Sequence, residues 1–157
     1  MHLEYFQLID RIAEIDFAER VIRVEATVPT TSTIFEGHFP GHPLMPGVLL
    51  IEAMAQTSGW LIIGLLGFQR MPFLAGVKEA KLRQFVTPGT PLSLEAAIEH
   101  DGSGYTITRA NIKSEGKSVC DATLTFRVVP FPTADFRAQM VETAKRLQYP
   151  AEIPANG

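Results

Sequence analysis

"GHFPGHPLMPGVLLIEAMAQ", residues 37–56, changes character at its midpoint. The first half sets His38 and His42 among Pro40, Pro43 and Pro46, with glycines at 37, 41 and 47. A proline fixes its own φ and pushes the residue before it toward extended backbone, so Phe39 and His42 are restricted. Residues 29–47 therefore read as ordered, irregular chain. The second half is a helix. Proline suits a first turn, strong helix formers follow, and the run extends over about residues 47–66. Apolar residues on nearly every side predict that it is buried over most of its circumference.

Glu52 stands inside that apolar run. An ionised carboxylate among Leu50, Ile51, Ala53, Met54 and Ala55 is poorly solvated unless something compensates. Gln56, one turn on, shares its face, and the small Ala55 and Gly59 leave room there for a ligand or a partner chain. The plainer reading is a glutamate bonded to a buried partner. A histidine in the adjoining loop weakens it, since imidazole exchanges protons near neutral pH. His38 and His42 compete for that role, and each could instead simply bond a backbone carbonyl. His2 and His100 have no comparable setting.

Outward from the helix the chain reads as strands. Ile22, Val24, Ala26 and Val28 alternate with Arg23, Glu25 and Thr27, which marks a half-buried strand. Residues 5–16, "YFQLIDRIAEID", fit helix or strand equally. "GFQRMPF" is expected to end the helix, and "VKEAKLRQFV" leads to a turn at Pro88-Gly89. "LSLEAAIEH", "YTITRANIK" and "VCDATLTFRVV" follow, separated by "DGSG" and "SEGK" turns. Cys120, Ala122, Leu124, Phe126 and Val128 share one strand face. One buried helix followed by antiparallel strands spells α+β, with the sheet wrapped around the helix. A last amphipathic helix is expected over residues 133–147, capped by Thr133, with Phe136, Met140, Ala144 and Leu147 on one face. The tail "YPAEIPANG" is expected to be loose.

Bulk composition narrows the function classes. A chain of 157 residues with 46% hydrophobic and 20% charged residues fits one domain with a real core. Its net charge of −3 argues against nucleic acid, which needs a dense phosphate-neutralising surface. Lys78, Lys81 and Arg83 form the best basic cluster, and a solvated strand face explains them. The single cysteine, Cys120, allows no internal disulfide and no cysteine metal site. The N-terminus lacks a basic start and a long apolar core, so no signal peptide is expected. Glu52, Gln56, Thr57 and Ser58 interrupt the greasy run, which argues against a membrane span and for a cytoplasmic protein.

Three elements converge chemically. An imidazole in a stiff loop can remove a proton, a helix carboxyl can donate one, and each such group typically supplies about 100- to 10,000-fold in rate. The first N–H groups of the helix, from Gly47, lack internal partners and can stabilise a developing enolate oxygen, worth roughly 100- to 1000-fold per donor. Gly47 could equally serve only the turn after Pro46. Base, acid and oxyanion donor together describe proton removal beside a carbonyl with protonation of a leaving group. The loop does not resemble a metal-ligand motif, no metal or cofactor is expected, and "GxSxG" is absent.

At these residues the chain resembles the β-hydroxyacyl-acyl-carrier-protein dehydratases of fatty acid synthesis, whose signature residues 37–56 follow nearly letter for letter. The likeness runs from "LIDRIAEID" to about Val129. It implies a hot-dog fold over residues 1–130, with 131–157 as an extension of unassigned role. It implies cofactor-free, reversible conversion of 3-hydroxyacyl thioesters on acyl carrier protein into trans-2-enoyl thioesters and water. The catalytic histidine corresponds to His38 and its acidic partner to Glu52, while Gly47 and Gln56 match substrate-binding positions. His42 matches no catalytic position. The resemblance also implies dimers, commonly three per hexamer, with His38 and Glu52 of each site drawn from different subunits. An acyl tunnel beside the helix would be lined by Met54, Trp60 and Leu61, which ordinary core packing explains as well. The chain departs from the pattern at Thr90, where the family shows Asp after Pro-Gly. A hot-dog thioesterase and a silent acyl-binding subunit are the alternatives. The His-Phe-Pro-Gly loop opposes the first, and the presence of both His38 and Glu52 opposes the second.

Overall fold

A computed structural model describes residues 1–155. After a short 3-10 turn at Leu3–Tyr5 come β1 (Arg11–Asp16) and β2 (Val21–Thr27), then a one-turn helix α1 (Thr33–Gly37) and the long α2 (Gly47–Leu65). Four strands follow, β3 (Arg70–Leu82), β4 (Pro91–Gly102), β5 (Tyr105–Ser114) and β6 (Lys117–Pro130), and α3 (Ala134–Arg146) closes the order. The strands form one sheet in the order β1-β2-β4-β5-β6-β3, antiparallel throughout. The sheet curls around α2, the α+β hot-dog arrangement that the resemblance implies.

Alternation in the sequence builds the inner face. Ile22, Val24 and Ala26 of β2 meet Ala96, Leu94 and Leu92 of β4 across the ladder, and Ile112 of β5 meets Cys120 of β6. All of these side chains are buried, as are Ala122, Leu124, Phe126 and Val128. With apolar surface worth about 25 cal/mol per Å² removed from water, this face and α2 dominate the stability of the fold. By length and composition α2 could cross a membrane, but more than half of its most apolar window is buried inside the fold. Its polar residues have local partners. Thr57 donates to the Ala53 carbonyl at 2.8 Å, and Ser58 pairs with Thr108 of β5 at 2.8 Å in the core. That buried pair fixes the helix against the sheet, because either hydroxyl alone would lose its water without replacement.

Three expectations are corrected. The strand expected to start at Val77 begins at Arg70 and stops at Leu82, so residues 83–86 lie outside it. Pro72 hid this strand, although proline is tolerated at an edge, and β3 is an edge. Register shifts at Leu74/Gly76 and Lys78/Lys81 also break its alternation. Second, residues 5–16 divide, with turn and coil leading into β1 from Arg11. Third, the tail is packed rather than loose. Tyr149 meets Phe68 edge-on with ring centroids 5.3 Å apart, and Arg137 donates to the carbonyls of Phe68 at 2.8 Å and Pro154 at 2.9 Å. Residues 156 and 157 of that tail lie outside the described residues. α3 takes the expected form. Thr133 accepts from the Phe136 N–H at 3.1 Å, and Ala144 and Leu147 are buried.

Candidate active site

The histidine loop is built from its N-terminal end. Ser32 caps α1 by accepting from the Ile34 N–H at 3.1 Å. The Glu4 carboxylate accepts from the Ser32 hydroxyl at 2.6 Å and from the Thr33 N–H at 2.9 Å. These bonds hold its pKa down at about 2, the Ser32 hydroxyl contributing most. His38 follows directly as the C-cap of α1, its N–H donating to the Ile34 carbonyl at 3.0 Å. The His38 carbonyl accepts from the Leu44 N–H at 2.9 Å, and Nδ1 of the ring lies 2.9 Å from the Leu44 carbonyl. A carbonyl can only accept, so Nδ1 carries a proton, and in the neutral ring the lone pair is on Nε2. The plainer reading of a loop histidine, a ring bonded to a backbone carbonyl, is thus correct for His38. The ring stacks on Phe39 at 4.2 Å between centroids. His42 is exposed and exchanges only backbone bonds with Phe39, at 3.0 and 2.8 Å.

α2 supplies two further elements. At its start, the Leu49 and Leu50 N–H groups reach the Pro46 carbonyl at 3.0 and 3.3 Å. The Gly47 and Val48 N–H groups have no intrahelical acceptor, and Pro46 offers no side-chain cap. Leu82 of β3 lies over Gly47, and a Cβ there would collide with its Cδ1. One and a half turns later Glu52 is half-buried. Gln56 accepts from the Leu8 N–H at 3.2 Å, so its other terminal atom must be the NH2 group. That group donates to the Phe6 carbonyl at 2.7 Å and to Oε1 of Glu52 at 3.2 Å. Gln56 therefore spends its polar atoms holding the N-terminal segment and one carboxylate oxygen. The second oxygen of Glu52 has no hydrogen-bond partner among the described residues.

Glu52 and Gln56 open into a cavity of about 460 Å³, within the range of small-molecule sites. Trp60 and Ile63 continue its floor along α2, and Met71 and Met140 close on it from β3 and α3. Of the expected tunnel residues, Trp60 lines it, whereas Met54 and Leu61 are fully buried in the core. His38 is not among the walls of this cavity. Within one chain the two proton-transfer candidates thus belong to separate surfaces. Sequence reasoning did not find the bond from Leu8 to Gln56 or the wall built by α3. The apolar face of α3 signalled packing but not the surface it packs on.

Known proteins resemble this chain over most of its length. A family model for the FabA-like domain matches residues 1–123. A 3-hydroxyacyl-[acyl-carrier-protein] dehydratase FabZ of Ligilactobacillus salivarius is 38% identical over 122 residues, covering 77% of this chain and 86% of the relative. A protein of the same name from Klebsiella pneumoniae is 38% identical over 127 residues, covering 78% and 83%. Among solved structures, a hypothetical protein from Staphylococcus aureus superposes with a TM-score of 0.64 at 14% identity, covering 82% of this chain and 98% of that one. A hypothetical thioesterase from Streptococcus pneumoniae with coenzyme A gives 0.59 at 17% identity, covering 78% and 88%. At such identities these likenesses speak for the fold alone. The match over residues 1–123, with relatives at 38% identity over most of their length, assigns the chain to the family of FabA-like domain proteins.

Proposed function

We propose that this protein dehydrates 3-hydroxyacyl thioesters on acyl carrier protein to trans-2-enoyl thioesters in fatty acid or related lipid synthesis, with His38 as base and Glu52 as acid. The observation that carries the reading is the His38 ring, tied through Nδ1 to the Leu44 carbonyl with Nε2 free, in a chain 38% identical to proteins named for this reaction. Nε2 removes a proton from C2, which the thioester carbonyl acidifies. The C2–H electrons form the C2=C3 double bond as the C3–O bond breaks. Protonated Glu52 gives its proton to the departing hydroxyl, which leaves as water. The Gly47 N–H, at the positive end of α2, receives the charge that builds on the thioester oxygen. Gln56 acts on the substrate indirectly, by fixing the Glu52 carboxyl. His38 then returns its proton through solvent to Glu52, so protons and electrons balance over the cycle.

A second copy of the chain completes this site. The absence of His38 from the walls of the Glu52 cavity supports a site assembled from two subunits. The surface supports that pairing. β3 is a long edge strand, and beside it Phe85 and Val48 are 87% and 72% exposed. An unpaired edge flanked by exposed apolar side chains is a surface that another chain covers. We assign the acyl carrier protein as the macromolecular partner, residues 1–130 as the dehydratase domain and the cytoplasm as its compartment.

The test is incubation with 3-hydroxyacyl-carrier-protein substrates followed by mass spectrometry. Loss of water from the acyl group supports the reading. Release of free 3-hydroxy acid instead would replace it with thioester hydrolysis.

A further inference from the structure

We propose that α3, which lies beyond the matched family region, is the outer wall of the acyl chamber, and that Met140 on it sets how long a tail the enzyme accepts. This rests on the dehydratase reading for the identity of the tail, and its test separates the two. The chamber lies between two helices. Along α2 its surface runs from Glu52 to Ile63, a rise of about 16 Å at the usual helical spacing. Facing it stand Met140, Thr143 and Arg146 of α3 and Leu147, its C-cap. The family match ends at residue 123, ahead of every one of these.

The wall is anchored at both ends. Arg137 holds the first turns through the Phe68 carbonyl, and the Ile12 N–H donates to the Leu147 carbonyl at 2.8 Å at the other. Tyr149 and Phe68 pack beneath it, and Ala144 is fully buried. A helix held this way presents fixed side chains. Thr143 turns its hydroxyl to the Gln139 carbonyl at 2.9 Å and Arg146 donates to the Gln7 side chain at 3.3 Å, so the polar groups of this wall have partners and Met140 is its apolar part. The reacting end of the chamber is marked by Glu52. The first turns of α3 are bonded through Arg137 to Phe68, just past the α2 terminus, and its last turn through Arg146 to Gln7. Met140, nearer Arg137, thus lies toward the far end with Ile63. An acyl tail entering past Glu52 therefore ends against Met140.

The experiment measures kcat/KM over a series of 3-hydroxyacyl tails for wild type, Met140→Ala and Met140→Trp. One methylene gained or lost in an apolar pocket is worth about 10-fold or more. Met140→Ala is expected to move the optimum to longer tails, and Met140→Trp to shorter ones. Coincident profiles in all three would overturn the proposal. A second readout needs no turnover. Met140→Cys is alkylated in the presence of saturated butanoyl or dodecanoyl thioesters, with Lys145→Cys on the exposed face as control. The native Cys120 is buried, and its thiol pKa is pushed up to about 11 by that burial, so it stays silent. Protection of Cys at 140 by dodecanoyl but not butanoyl groups supports the wall even if no water is lost from any substrate, an outcome that would end the dehydratase reading alone. Equal labelling with and without dodecanoyl thioester overturns it.

Discussion

Replacing Gln56 with leucine keeps its bulk and removes three hydrogen bonds at once, to Leu8, Phe6 and Glu52. The Phe6 carbonyl can turn to water. The Leu8 N–H sits under a fully buried side chain and loses its only acceptor among the described residues, which costs about 1–3 kcal/mol. For a chain of this length each kcal/mol moves Tm by about 2–4 °C, so a fall of roughly 2–12 °C is expected at fixed protein concentration. The activity effect comes from the third bond. Without it the Glu52 carboxyl rotates freely, and misplacement of a reacting group by an ångström costs about 100-fold in rate. The assay pairs thermal unfolding with turnover, followed by the ultraviolet absorbance of the conjugated enoyl thioester. Gln56→Glu supplies the contrast, since it keeps an acceptor for Leu8 but sets a second carboxyl against Glu52. Wild-type turnover in Gln56→Leu would refute the orienting role, and an unchanged Tm would refute the account of Leu8.

Other perturbations follow from the same geometry. His38→Ala is expected to lower kcat by about 100- to 10,000-fold, while His42→Ala, whose ring makes no bond among the described residues, changes it little. Gly47→Ala pushes Leu82 off the helix start and should raise KM and lower kcat together, read by steady-state kinetics. Glu4 has a folded pKa of about 2 against its ordinary 4.5, so its stabilisation of α1 is present above pH 4.5 and lost as pH falls toward 2. The Tm gap between wild type and Glu4→Gln should therefore close over that window. Burial pushes the Tyr149 hydroxyl from 10.0 up to about 12, so the neutral form favours folding and that stability is lost as pH rises from 10 to 12. Tyr149→Phe should show shallower alkaline destabilisation in a pH series of melting curves.

The periodic parts of this fold were legible because two patterns were nearly pure. β2, β4 and β6 alternate with a period of 2, and α2 is apolar on almost all sides, so each announces a sheet curled on a buried helix. β3 was misread because a proline and two register shifts interrupt its period, and because as an edge it carries apolar residues outward. The tail was misread for a different reason. Tyr149 and Ile153 pack against surfaces far away in sequence, which no local pattern records. At the site, His38 and Glu52 stand out as polar groups in apolar or rigid settings. The carbonyl of Leu44, which selects the tautomer of His38, is a backbone atom and carries no sequence signal.

The central claim, a proton-transfer pair shared between two chains, is tested most directly by mixing two inactive variants. His38→Ala and Glu52→Ala are unfolded together, refolded together and assayed for dehydration. In a two-fold dimer, a mixed pair holds one site with both groups intact and one with neither. Random pairing makes half of the dimers mixed, so the account predicts recovery of about a quarter of wild-type activity. Mixed oligomers seen by native mass spectrometry with no recovered activity would contradict it.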